Sequence, residues 1–349
     1  MFRPLAPAAL LLALLTGSAA ATEAPPGPLC PAPGTAAEKA IAKHVAAAHV
    51  AVPPFADLPT APALAPERRG SIRRVELPAG EKLVALTFDL CETENEVAGY
   101  DGEIVDELRR RHVATTFFVG GHWAATHPRR FAELAADPLF EIGNHTWTHA
   151  NLRTVDDGEL ARQILAPEAA FRAALAGGPQ CPGISPAAAK RSTLFRFPFG
   201  ACDARSLGAV AGAGMAAIQW DVSTGDPSPL TGAADIVADT LRGVRPGSIV
   251  LAHANGRGFH TGAALPRLID ALTARGYRFV TVGELLARGR PVITDTCFDA
   301  HPGDTDRHDR WSAGRRPSRP PLPVAAVGLR GADAPPIAPP ARRTAEPTP

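Results

Sequence analysis

Two histidines four residues apart, His145 and His149 in the segment GNHTWTH, can turn ring nitrogens toward one cation from a helical turn or a tight loop. Neutral imidazole suits zinc. The chain has no HExxH sequence, so nothing supports a zincin-type protease. Other groups able to bind a metal or move a proton recur along the chain: Asp89, Arg196, Asp226 and His253. Each lies at or shortly after the end of a short β-rich run. The runs are 83–88 before Asp89, 140–143 before the histidine pair, 194–197 around Arg196, 216–220 ahead of Asp226, and 248–252 before His253. In parallel α/β barrels the reacting groups collect at the C-terminal ends of the strands. Five such ends carrying chemistry is an uncommon coincidence, and Asp89 is placed to complete or serve a metal centre at the histidines.

These positions require a scaffold that repeats. Two further β runs, 115–119 and 278–281, bring the number to seven. Amphipathic stretches separate the runs, such as 102–112 with Ile104, Val105 and Leu108 on one face, and 263–274 with Leu265, Leu268, Ile269 and Leu272. Alternation of β and α at this spacing predicts an α/β fold, with a parallel sheet and helices outside it. Seven strands favour a distorted (β/α) barrel over an open doubly wound sheet. No Gly-rich phosphate loop follows the first strand to support a nucleotide fold.

The ordered segments LTFDL (86–90), NHTWTH (144–149), RFPFG (196–200), WDVSTGD (220–226) and LAH (251–253) resemble the five motifs of the polysaccharide deacetylases, the NodB-homology or carbohydrate esterase four family, over roughly residues 83–286. The resemblance implies a barrel of about seven strands that removes acetyl groups from amino sugars or, less often, from O-acetylated sugars. Carried over by position, it makes Asp89 the general base and His145 and His149 metal ligands. Arg196 then holds the base, and the Phe199 amide donates to the oxyanion. His253 becomes the general acid, with Asp226 orienting it, and Leu251 lines the acetyl pocket. The implied cofactor is a divalent metal, zinc first.

The chain also departs from the family pattern. The family's first motif usually has a second aspartate as metal ligand, and Leu90 stands there. Three readings follow: the histidines and water hold the metal alone, a nearby carboxylate substitutes, or no metal binds. Among Glu92, Glu94 and Glu96, Glu92 is nearest and is the expected third ligand. Pro227 replaces a common Trp after Asp226, which makes Asp221 the competing choice for the fourth motif.

The flanks differ from this region. Residues 1–21 carry Arg3, an apolar run and small residues before Thr22, which predicts a signal peptide too short to serve as a lasting membrane anchor. Residues 22–74 form a Pro/Ala-rich lead with one short helix expected over 36–48. Residues 75–298 are expected to form the catalytic domain, and 299–349 a Pro/Arg-rich tail expected to be disordered. The expected location is secreted or periplasmic in a bacterium, where disulfides persist. Of the five cysteines, Cys181–Cys202 and Cys30–Cys297 are the expected pairs and Cys91 the one left over. A net charge of +1 among 349 residues removes the electrostatic case for nucleic acid. The expected partner is an acetylated glycan of peptidoglycan or chitin type, deacetylated at nitrogen. The alternatives are an O-acetyl esterase or other C–N hydrolase on the same scaffold, and a catalytically silent glycan-binding protein.

Overall fold

The run LVALTFDL forms the strand Leu83–Leu90, with all eight residues buried, as a parallel strand covered on both faces should be. The computed structural model describes residues 34–43, 50–59, 61–177 and 191–297. The expected signal peptide, the tail, Cys30 and Cys181 lie outside them. In chain order the described strands are β1 Ala42–Lys43, β2 Ser71–Glu76, β3 Leu83–Leu90, β4 Glu96–Val97, β5 Thr115–Val119, β6 Phe140–Asn144, β7 Leu194–Phe195, β8 Ala216–Ile218, β9 Val222–Ser223, β10 Ile249–His253, β11 Arg278–Phe279 and β12 Arg290–Thr294. The helices are α1 Gly102–Arg110, α2 Gly121–Thr126, α3 Pro128–Ala136, α4 Asp157–Gly177, α5 Ala204–Gly212, α6 Ala233–Gly243, α7 Thr261–Ala274 and α8 Val282–Arg288.

The main sheet runs β12-β2-β8-β7-β6-β5-β3-β10-β9, and β11 also pairs with β3. Every pairing in it is parallel except β12 with β2. Residues 216–223 tie the two sides of this path together. Ala217 pairs with Ser71 of β2, and a few residues on Val222 pairs with Val250 of β10. The sheet therefore curls into a half-barrel with helices outside, the α/β architecture expected. All seven expected β runs are strands.

Of the five described strands outside the seven expected runs, β1, β4 and β9 are two residues long, and the longer β2 and β12 carry no clear signal in the sequence. β2 contains Arg73 and Arg74 in SIRRVE, and β12 opens on Arg-Pro, so neither reads as an apolar run. β12 ends the sheet path, and an edge strand tolerates Pro291 because one side of it needs no ladder bond. The helix expected over 36–48 is corrected: Ala36–Lys39 is a single 3-10 turn, Ala42–Lys43 pairs with Glu96–Val97, and 44–49 lie outside the described residues. Tertiary contacts override the helix propensity of the Ala-rich run. Glu38 binds Arg130 at 2.7 Å and Lys39 binds Asp101 at 3.0 Å, fastening this segment to α3 and to the start of α1.

Alternation along β3 sorts its side chains between two layers. Val84, Leu86, Phe88 and Leu90 join the cluster that contains Ile104, Trp123 and Leu265 from the helices. Leu83 and Ala85 face the other way, into a cluster with Phe118, Trp220 and Leu251. Asp89 shares the parity of Leu83 and Ala85, at the C-terminal end of the strand.

The expected disulfide pairing is also corrected. Cys202 bonds to Cys297, 95 residues away, and Cys91 is free and buried. The edge pairing explains this. β12 lays Thr294 beside Ser71, and Ser71 pairs with Ala217, whose neighbour Phe195 precedes the loop that carries Cys202. Closing a loop of this length restricts the unfolded chain. Replacing both cysteines by serine is expected to lower unfolding free energy by about 2–5 kcal/mol in urea titration. An unchanged midpoint contradicts a structural role for this bond.

Candidate active site

The histidine loop follows β6 directly, and α4 holds it from below. Asn144, the last residue of β6, donates its side-chain amide to the Ile164 carbonyl at 3.0 Å and to Glu168 at 2.8 Å. Its side-chain oxygen accepts from the Thr146 amide at 3.0 Å. Gln163 accepts from the Thr148 amide at 2.9 Å and donates to the Thr148 hydroxyl at 2.7 Å. From α2, the amides of Gly121 and His122 donate to the carbonyls of Thr146 and Trp147. Trp147 is buried against Ala166 and Ala170 and buttresses the loop. A β-carbon on Gly121 would come within 2.6 Å of the Trp147 ring and 2.7 Å of the Pro167 backbone, so only glycine fits there. Four described non-glycine residues have positive φ, and three of them, Thr146, His149 and Phe199, lie here. Backbone strain of this kind persists where surrounding structure over-determines it, and it concentrates at functional sites.

His145 Nδ1 donates to the Arg196 carbonyl at 2.9 Å. Nε2 is then a lone pair, and it is buried with no hydrogen-bond partner. Oδ2 of Asp89, 3.5 Å away, can only accept when ionised. His149 packs edge-on to His145 and to Phe199, with ring centroids 5.0 and 4.5 Å away. Burial pushes its pKa down to about 4, with Asp89 offsetting part of that shift. Both features fit a cation: an orphaned nitrogen pointing into the site beside a second imidazole kept neutral.

Asp89 receives Arg196 Nη1 at 2.8 Å, and the same nitrogen donates to Thr87 at 2.8 Å. Arg196 is fully buried, its guanidinium 4.0 Å above the Phe118 ring. Burial opposes ionisation of Asp89, but the charge and hydrogen bond of Arg196, with the His253 charge beside them, outweigh it and hold the carboxyl below the usual carboxylate range. On the adjacent strand His253 pairs in register with Asp89. His253 Nδ1 donates to Asp226 Oδ1 at 2.9 Å, and its backbone amide donates to Oδ2 at 2.7 Å. Thr261 supplies a third donor to Asp226 at 2.6 Å. Burial lowers the His253 pKa, but the Asp226 charge and hydrogen bond outweigh it and raise it to about 9. Leu251 lies two residues before His253 on the same face of β10 and is almost fully buried.

The structure thus brings Asp89, His145, His149, Arg196, Asp226 and His253 to one rim. Asp221 is not part of it. Its carboxylate binds Ser248 and the Ile249 amide at the start of β10, the opposite end from His253. Glu92, the expected third ligand, has both oxygens engaged elsewhere. Its Oε1 accepts from His122 at 2.6 Å and Thr126 at 2.8 Å, and its Oε2 accepts from the Ala98 amide at 2.7 Å. The carboxylate is engaged in a buried network of its own. Cys91, expected from the sequence to be the odd cysteine, offers its sulfur instead, within 4.8 Å of donor nitrogens of His145 and His149. The sequence signal for it is parity: Cys91 is two residues beyond Asp89, whereas Leu90 faces the helices.

Comparison with known proteins finds relatives of one kind in sequence and fold. The family model described as polysaccharide deacetylase matches residues 76–218. A chitooligosaccharide deacetylase of Sinorhizobium fredii is 35% identical over 57% of this chain and 89% of its own length. A peptidoglycan-N-acetylglucosamine deacetylase of Bacillus cereus is 30% identical over 60% of this chain and 91% of its own. Among solved structures, a CE4 family pseudoenzyme from Bacillus anthracis superimposes with a TM-score of 0.53 at 25% identity, covering 65% of this chain and 71% of its own. The Bc1960 peptidoglycan N-acetylglucosamine deacetylase also gives a TM-score of 0.53, at 26% identity, covering 63% of this chain and 93% of its own.

Proposed function

The chain belongs to the polysaccharide deacetylase family, a family of hydrolases, and from that premise we propose that it is an exported, metal-dependent enzyme removing N-acetyl groups from an amino-sugar glycan of peptidoglycan or chitin type. The observation that carries the reading is the opposition of two built pairs on one rim: a carboxylate locked by a buried arginine, and a histidine kept protonated by a buried aspartate. Amide hydrolysis needs both. Water must lose a proton as it attacks, and the poor amine leaving group must gain one.

His145 and His149 would hold the metal, which when bound supplies Lewis-acid charge that acidifies a water and polarises the acyl oxygen. Asp89 accepts the proton of the attacking water, and Arg196 fixes the carboxylate's direction. The Phe199 amide donates to the oxygen that becomes negative. His253 gives its proton to the departing amine, and Asp226 holds that ring in register. The products are acetate and a free amine on the sugar. Leu251 forms the apolar floor for the acetyl methyl. Phe199 and Phe259, 39% and 46% exposed beside the rim, offer ring faces to the glycan. The N-terminal leader and the Cys202–Cys297 bond support export into an oxidising compartment.

Acetate release measured side by side on N-acetylglucosamine oligomers, peptidoglycan and O-acetylated xylan tests the reading. Release from the N-acetylated substrates is expected, and His253→Ala should lose it while keeping a larger share of any ester hydrolysis, since an alkoxide leaves with less help than an amine. Release from the ester alone by the unaltered protein overturns the assignment in favour of an O-acetyl esterase.

A further inference from the structure

Cys91 is the one free cysteine among the described residues, and it is almost fully buried. A buried thiol on an apolar wall needs no explanation beyond packing, but the surroundings of this one are polar. The Asn255 side-chain amide donates to Sγ at 3.2 Å and to the Cys91 carbonyl at 2.7 Å, which fixes the residue's direction. The charge of Arg257, whose guanidinium binds Glu96, also bears on the sulfur, and a ring nitrogen of His145 lies within 4.8 Å of it. A sulfur set among donors and positive charge is placed as an acceptor, the form that a thiolate prefers.

The second observation is independent of the cysteine. His145 Nε2 is a buried lone pair without a partner, and its other nitrogen is fixed as a donor by the Arg196 carbonyl. Leaving such an atom unsatisfied costs about 1–3 kcal/mol, and a cation removes that cost. Sγ of Cys91 lies in the same group of donor atoms as the histidine nitrogens of His145 and His149, all within 4.8 Å of one another. The two oxygen donors that could compete are engaged elsewhere. Glu92 gives both oxygens to His122, Thr126 and Ala98, and Asp89 gives one oxygen to Arg196 and keeps the other, 3.5 Å from His145 Nε2, for the attacking water.

We propose that Cys91 is the third protein ligand of this centre, a sulfur donor where the family usually has a carboxylate, so that the site selects a thiophilic divalent ion such as zinc or cobalt over magnesium, manganese or calcium. The inference rests on the metal dependence proposed above and adds to it the donor set. One sulfur and two imidazoles leave one position of a tetrahedral ion open, the arrangement of catalytic rather than structural zinc. Soft thiolate ligands select zinc-like ions, whereas the hard ions prefer all-oxygen shells. Binding releases the thiol proton to solvent. Leu90 is then no defect: it packs into the helix-side layer, and the residue after it takes over the metal.

Cobalt(II) titration of the chelator-stripped full chain under argon tests this without reference to activity. The expected result is an intense near-ultraviolet thiolate-to-cobalt charge-transfer band together with visible d–d bands, both saturating at one equivalent. Cys91→Ser should lose the charge-transfer band and weaken zinc binding by about 100-fold or more in chelator competition, at or beyond the 10–100-fold typical of outer-shell partners. Cys91→Asp should also lack the band while gaining manganese binding relative to zinc. Visible cobalt bands in the unaltered protein with no charge-transfer band overturn the sulfur ligand and leave the deacetylase reading standing. Absence of any cobalt spectrum overturns both. The unaltered protein alone decides the question if either variant fails to fold.

Discussion

Asp89→Asn is expected to lower kcat for N-deacetylation by about 10²–10⁴-fold, the range contributed by a positioned general base, with KM close to that of the unaltered enzyme. The substitution keeps the shape of the side chain and removes its charge and basicity. Asp89 holds no sugar in this mechanism, so binding has no reason to weaken. The same change has a structural cost. Arg196 is wholly buried, and Asp89 is its only carboxylate partner among the described residues. Breaking a buried pair by removing one charge costs about 3–5 kcal/mol. The residual acceptors of Arg196, the Thr87 hydroxyl and the carbonyls of Ile218 and Gln219, put the expected loss toward the lower end. Steady-state acetate release together with urea unfolding separates the two effects. A variant that keeps more than about a tenth of kcat contradicts the role assigned to Asp89.

Asp226→Asn is expected to move the alkaline limb of kcat/KM to lower pH. His253 is raised from 6.5 to about 9 because the Asp226 charge and hydrogen bond outweigh the burial that would lower it. Its protonated form, the proton donor in this mechanism, therefore persists through neutral pH and is lost as pH rises through about 9. Asparagine keeps an acceptor but removes the charge, which leaves burial to pull the pKa to 6.5 or below. At pH 8 the protonated fraction then falls about 30-fold or more, and amide hydrolysis should fall with it. Stability follows the same sign. A pKa raised in the folded state means that the pair's contribution is fully present below about 6.5 and fades as pH rises through about 9. In the variant, that pH-dependent stabilisation disappears. An alkaline limb that stays in place shows that His253 is not the proton donor or that Asp226 does not tune it.

Six of the residues at the rim are legible in the amino-acid sequence, because each pairs a reacting group with an apolar run that must become a strand. A parallel strand buried on both faces is an unbroken apolar word in the sequence, and β3, β5 and β10 are such words. What is not legible depends on contacts between distant segments. β12 and β2 are recognisable as strands only once each supplies the other's ladder, and the Cys202–Cys297 bond follows from that pairing. The third metal donor is hidden for a different reason. Distance along the chain and charge favour Glu92 after Leu90, but direction at the end of a strand decides which side chain enters the site. Direction alternates, so Asp89 and Cys91 share a face while Glu92 turns into the network of His122 and Thr126. The Ala36–Lys39 turn departs from the expected helix because Ala-rich composition reports local preference, and the ion pairs of Glu38 and Lys39 override it.

The central claim is that these side chains form one metal-dependent N-deacetylase centre. Its most direct test is zinc content and acetate release from N-acetylglucosamine oligomers, measured on the same preparations of the unaltered protein and of His145→Ala. The predicted result is about one zinc per chain with measurable acetate release in the first, and loss of both together in the second. Acetate release that persists in His145→Ala, or in unaltered protein stripped of metal, contradicts it.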